Sequence, residues 1–141
     1  MTVEMFESLP EYAQEIRQKV FIQEQGFQEE FDEIDYVAVH FVVFDDSKQP
    51  IGTCRVFWNA ERNSYILGRL AVLKEARRQN AGRTIMEAAE GYVRKMGGRE
   101  LQLHAQSRIT AFYSRLGFVA FGEEDEEEGC PHIWMKKYIP D

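Results

Sequence analysis

Between Leu73 and Thr84 three arginines, Arg77, Arg78 and Arg83, flank Gln79, Asn80, Ala81 and Gly82, where an apolar run gives way to a helical pattern. A helix start leaves four backbone N–H groups without an internal partner, and the dipole there favours negative charge. Asn80 tolerates a left-handed backbone, and Gly82 permits close approach. A pyrophosphate is the anion that such a loop suits. The same residues also describe an ordinary strand-to-helix connection carrying surface arginines, and spacing alone does not separate the two. Cys54 and Cys130 stand in no metal-ligand spacing and have no adjacent base. They read as free thiols, so no metal and no cysteine nucleophile is expected.

These residues need a scaffold, and the chain is long enough for one. At 141 residues it has the length of a single domain spanning 1–141. With 44% hydrophobic and 29% charged residues, it is neither disordered nor collagen-like. The net charge of −7 argues against nucleic-acid or anionic-membrane binding by the whole surface. That charge is unevenly spread. Glu24, Glu29, Glu30, Asp32, Glu33 and Asp35 form one acidic cluster, and Glu123 to Glu128 a second. Together they hold twelve of the 24 acidic residues, so the remainder, with 17 Lys and Arg, is net positive and leaves a polyanionic small molecule as a partner. A like-charge run such as Glu123 to Glu128 reads first as a solvated loop, and alternatively as a patch that draws in a cationic ligand. The N-terminus resembles no signal peptide and no apolar run reaches membrane-spanning length, so a reduced cytoplasmic setting is expected.

Periodicity orders the elements. Leu9 to Gln25 has apolar residues at helical spacing, with Pro10 in the first turn. The acidic stretch to Asp35 reads as loop with a short helix. Ala38 to Phe44 and Ile51 to Trp58 form a hairpin across Asp45–Pro50, and Tyr65 to Leu73 is a third strand. From Ala81 an apolar stripe (Ala81, Ile85, Ala88, Ala89, Tyr92, Met96) marks a helix that Gly97-Gly98 ends. Leu101 to Ala105 alternates as a strand. A short helix follows from about Arg108 to Leu116, and Phe118 to Phe121 and Ile133 to Tyr138 close the sheet. Strand, helix, strand implies a right-handed parallel crossover. The expected fold is α/β: a mixed, mostly antiparallel sheet of six or seven strands, flanked by about four helices, with one parallel crossover.

The run Arg77-Arg-Gln-Asn-Ala-Gly resembles the Q/R-x-x-G-x-G/A motif of the GNAT superfamily of acyl-CoA-dependent N-acyltransferases, with Asn80 where the family usually has its first glycine. Leu70-Ala-Val-Leu is similar to the family's fourth strand, and Ala111-Phe-Tyr-Ser-Arg-Leu-Gly-Phe to its FY-x-x-x-G-F signature. Gln23-Glu-Gln, His104-Ala-Gln and Gly129-Cys-Pro-His resemble the small ElaA-like branch. The similarity covers nearly the whole chain in order.

That resemblance implies an acetyl-CoA-dependent N-acetyltransferase acting on a primary amine of a small molecule or peptide, by direct transfer in a ternary complex. Acetyl-CoA is the co-substrate implied, held by Leu70, Ala71, Val72 and the loop Arg77, Arg78, Gln79, Asn80, Ala81, Gly82 and Arg83. Tyr113 stands where the family has its proton donor to the coenzyme A thiolate; without the resemblance it reads as a core ring. His104 is the candidate base, or a polar residue lining the cofactor slot. Glu24, Glu33 and His132 are candidate acceptor-binding residues, although His132 serves equally as a strand cap. His40 reads as structural. An exposed sheet edge would allow a homodimer. Two other classes stay open: a non-catalytic acyl-CoA sensing module, and an interaction domain without cofactor.

Overall fold

From Val39 to Asn59 the chain is largely β-branched and aromatic, broken by one turn, and it forms two antiparallel strands. Asp45 builds that turn by accepting the N–H groups of Ser47 and Gln49, at 2.9 Å each. The computed structural model describes residues 1–27 and 31–141, so Glu29 and Glu30 of the first acidic cluster lie outside the described residues. Its strands are β1 (Thr2–Phe6), β2 (Val39–Phe44), β3 (Pro50–Asn59), β4 (Ser64–Val72), β5 (Glu100–Gln106), β6 (Val119–Ala120), β7 (Asp125–Glu127) and β8 (Cys130–Tyr138). Its helices are α1 (Glu11–Arg17), which runs on as a π-helix over Gln18–Glu24, α2 (Ala81–Lys95) and α3 (Thr110–Arg115). No helix among the described residues is long and apolar enough to cross a membrane.

The sheet order is β1-β2-β3-β4-β5-β8, with β6 and β7 both on the outer edge of β8. Only β4 and β5 pair in parallel among the described strands, as the crossover through α2 requires. The mixed sheet agrees with the expected class but carries eight strands rather than six or seven. Thr2–Phe6 adds an edge beside β2, and Asp125–Glu127, expected as acidic loop, pairs with β8.

Helices cover both faces, which explains why β2 reads as a continuous apolar run. Phe41 and Val43 join Ile85, Ala89 and Val93 of α2 in one core. Val42 and Phe44 meet Ala13 of α1 on the other face. Period-2 alternation sends successive residues to opposite layers. In β4 that alternation is interrupted. Thr53 pairs with Ala71 and Arg55 with Gly68, so three steps along β4 match two along β3, and Arg69 sits at the bulge with φ 54°. Leu67 packs on the α2 side before the bulge, and Leu70 and Val72 pack on that side after it. Ala71 turns to the α1 side with Ile16 and Val20. A single inserted residue resets the phase.

A buried charge network ties α1 to the sheet. Arg17 grips Asp35 through both guanidinium nitrogens, at 2.8 and 3.0 Å, and Arg55 reaches the same carboxylate at 2.9 Å. Arg55 and Arg69 also hold Asp32. His40, fully buried, places Nε2 3.0 Å from the Asp35 carbonyl, a structural role. Burial alone would raise the Asp35 pKa, but the two arginines overcome it and hold the carboxyl at about 2, below the ordinary 3.8. A depressed carboxyl stabilises the fold above its unfolded pKa and loses that contribution as pH falls through the folded value. The expected contribution is about 2 kcal/mol, complete above roughly pH 4 and lost toward pH 2. Urea unfolding of wild type and Asp35→Asn checks this. The stability gap between them should be larger at pH 5 than at pH 2.5; an equal gap at both would refute the linkage.

Candidate active site

The parallel ladder between β4 and β5 is short. It runs Tyr65–Leu101, Ile66–Gln102 and Leu67–Leu103 and stops there. Beyond Leu67 the bulge carries Gly68 to Val72 away from β5, so the two strands open like a V. On the outer side a groove of about 650 Å³ runs along Leu70, Ala71 and Val72 to the loop Arg77–Arg83, with Phe112 on its opposite wall. That volume is within the range of ligand clefts. A narrower pocket of about 80 Å³ lies inside the V, lined by Gly68, Leu70, His104, Tyr113, Glu127 and His132 among others. Leu70 and Ile109 border both, so the two spaces meet there.

The loop has the shape its sequence allows. Asn80 adopts φ 65° and ψ 17°, the left-handed conformation, and Arg78 is also at positive φ. Asn80 makes no side-chain cap bond. The first N–H groups of α2 are therefore left without a side-chain acceptor at the end of the groove, which is the arrangement that suits an anion. Gly82 serves packing as well as access: an added Cβ would lie 3.0 Å from Cζ of Phe112. Arg77 is held by Glu24 in a two-pronged ion pair, 2.7 Å on each prong, and donates Nε–H to the Val72 carbonyl. The Glu24 carboxyl is lowered chiefly by that hydrogen bond. Arg83 bonds Glu87, one turn along α2.

Tyr113 and His104 reach the inner pocket from opposite sides of the sheet. Leu101, Leu103 and Ala105 of β5 face the α2 core, so His104 points to the other face, as alternation requires. Tyr113 comes from α3 on the α2 side, 5% exposed, with Phe112 and Phe118 edge-on to its ring. Burial pushes its phenol pKa well above the usual value, so it is protonated at neutral pH. The His104 ring lies between His132 and Trp134, with centroids 4.7 and 4.8 Å away. Burial, the largest influence on His104, disfavours its charged form. The carboxylates of Glu127 and Asp125 outweigh that and raise its pKa above 6.5. Cys54 is buried, and burial pushes its thiol well up, leaving a neutral, unreactive group.

Other expected residues fall elsewhere. Glu33 is exposed in a short 3-10 turn, Glu33–Tyr36, and lines neither cavity; Gln79 is exposed and lines neither. Glu24 lies on the groove with Arg77, and His132 lines the inner pocket. Two residues of the second acidic run were not singled out individually from sequence: Glu127, which lines the inner pocket, and Asp125, which holds the His104 ring from behind. They sit on β7 and reach His104 because Glu128 and Gly129 both take positive φ, which makes a two-residue turn into β8. A turn of that kind is usually announced by Asn or Asp before Gly, whereas Glu here hides it.

A family model described as "Acetyltransferase (GNAT) domain" matches residues 8–139. A Bacillus subtilis (strain 168) protein named as an acetyltransferase is 35% identical over 128 residues, covering 87% of this chain and 85% of its own. The chain belongs to the GNAT acetyltransferase family. Escherichia coli ElaA has the same fold, with TM-score 0.83 and 22% identity, covering 96% of this chain and 98% of that one. An aminoglycoside 6'-N-acetyltransferase complexed with coenzyme A superposes with TM-score 0.78 at 16% identity, covering 100% of this chain and 98% of that one.

Proposed function

We propose that the protein transfers an acetyl group from acetyl-CoA directly to a primary amine of a small molecule or peptide, without an acyl-enzyme. The opening of β4 from β5 after Leu67 carries this reading, because it joins an anion-binding loop at one end to a pocket with a proton donor and a proton acceptor at the other. The pyrophosphate would rest on the first N–H groups of α2 beside Arg78 and Arg83, with Arg77 oriented by Glu24. The pantetheine arm would follow the free backbone edge of Leu70 to Val72. The coenzyme A held by the aminoglycoside acetyltransferase of the same fold supports this assignment.

In the pocket, the amine nitrogen attacks the thioester carbonyl, its C–N bond forms and the C–S bond breaks. His104 Nδ1 takes the proton that the amine loses, and the Tyr113 hydroxyl supplies one to the departing thiolate. Glu127 and Glu128 line the pocket and give it a negative charge suited to a cationic amine. His132 borders the acceptor side. No nucleic acid or membrane is needed, and we place the activity in the cytoplasm.

Calorimetric titration with acetyl-CoA, followed by addition of a mixed amine panel and assay of free thiol, tests the proposal. Micromolar binding with thiol release for some amines is expected. Absence of binding overturns it, and binding with no release for any amine favours an acyl-CoA sensing module.

A further inference from the structure

We propose that His104, His132 and Glu127 form a binding site for a divalent transition-metal ion of the zinc class. Three adjacent strands place the groups together: His104 on β5, His132 on β8 and Glu127 on β7 share one face of the sheet. One ligand atom from each lies within 4.8 Å of the others. In each ring the second nitrogen is already engaged. His132 Nδ1 lies 2.7 Å from the Cys130 carbonyl oxygen, which only accepts, so Nδ1 carries the hydrogen and the neutral ring leaves its lone pair on Nε2. His104 Nε2 lies 2.7 Å from Asp125 Oδ1, which by the same logic leaves the lone pair of the neutral ring on Nδ1.

Both lone pairs then face the Glu127 carboxylate. His104 Nδ1 is 3.6 Å from Oε1, and His132 Nε2 is 3.8 Å from Oε2. These separations are too long for hydrogen bonds. Three potential ligand atoms held around one point are the arrangement that a cation completes, displacing any proton that the two carboxylates favour on His104. Zinc sits about 2.0–2.2 Å from nitrogen and oxygen ligands, so tetrahedral neighbours stand roughly 3.4 Å apart. The two histidine–carboxylate separations lie a few tenths of an ångström beyond that, and the widest gap in the group, up to 4.8 Å, closes by side-chain rotation of the exposed Glu127 and the two rings.

The donor set and its surroundings point to the class of ion. Two imidazoles with one carboxylate suit zinc and its neighbours rather than magnesium or calcium. Three protein ligands leave a fourth position open toward the pocket, in the manner of exchangeable rather than purely structural zinc. The Asp125 carboxylate and the Cys130 carbonyl supply the outer hydrogen bonds that orient ligating histidines. Stacking between His132 and Trp134 fixes the His104 ring further. Bound metal would occupy the His104 lone pair assigned above to the amine's proton. That consequence rests on the transferase reading; the binding itself does not.

Titration of EDTA-treated, dialysed protein with zinc sulfate by calorimetry, and with cobalt chloride by visible absorption, tests the site. The expected result is one equivalent per chain with micromolar or tighter affinity, and cobalt bands of tetrahedral intensity. His132→Ala and Glu127→Gln should each weaken zinc binding at least tenfold, while Cys130→Ser leaves it unchanged. Glu127 is exposed, so its variant keeps the fold, which thermal unfolding verifies. No saturable binding, equal binding by the His132 and Glu127 variants, or loss of binding in Cys130→Ser would each overturn the assignment. None of these readouts depends on acetyl-CoA or an amine.

Discussion

Tyr113→Phe is expected to lower kcat about 10²-fold while leaving acetyl-CoA affinity within about twofold. The ring packs between Phe112 and Phe118, and phenylalanine preserves that packing, so the fold and the groove wall should survive. Only the hydroxyl is lost. A phenol near pKa ~10 protonating a thiolate near ~8.5 runs uphill by roughly 2 kcal/mol in water. Inside the V that opposition shrinks, because the same burial that holds the Tyr113 proton also destabilises a bare thiolate. The hydroxyl then acts by hydrogen-bonding charge as it develops on sulfur. Steady-state kinetics with calorimetry on the same samples separates the effects. Undiminished kcat would mean that water or another group protonates the thiolate; loss of binding would mean that Tyr113 shapes the groove.

Substitutions at Asn80 should split by backbone tolerance rather than by polarity. Asn80→Gly is expected to bind acetyl-CoA at least as well as wild type, since glycine takes φ 65° without steric cost. Asn80→Val should bind at least tenfold more weakly. A β-branched residue is a severe outlier in the left-handed region, and relaxing it would swing the first N–H groups of α2 away from the groove. The side chain makes no cap bond, so its amide is not what the position selects. Calorimetry on the three proteins decides. If valine bound as well as asparagine, the loop's conformation would not be what holds the cofactor.

Much of this was legible in the sequence because the signals were local. The α2 stripe is seen as buried Ala81, Ile85, Ala89 and Val93, although Met96 lies past the helix end and is 54% exposed. Gly97 takes φ 83° and closes the helix as a left-handed cap. The asparagine in the glycine position was readable for the same reason, as a statement about one backbone angle. What escaped was non-local. The first acidic cluster supplied Glu24 and Glu33 as acceptor-binding candidates, yet its Asp32 and Asp35 are bound by Arg17, Arg55 and Arg69, partners far away in sequence. The pocket's negative charge comes instead from the second cluster, whose hairpin was concealed by a glutamate at positive φ. Where β4 leaves β5 was equally hidden, because nothing about Arg69 by itself announces a bulge.

That bulge makes β4 a splice of two half-strands of opposite parity. Up to Leu67 odd-numbered residues build the core beneath α2, and from Leu70 onward even-numbered residues do. Length between those points is therefore a fixed integer as much as a matter of composition. Removing one residue would restore a regular ladder, but it would turn Ala71 and Val72 over together and exchange the groove's lining for its backing. Side-chain replacements here leave that phase alone, whereas an insertion or deletion changes which layer of the protein lines the groove.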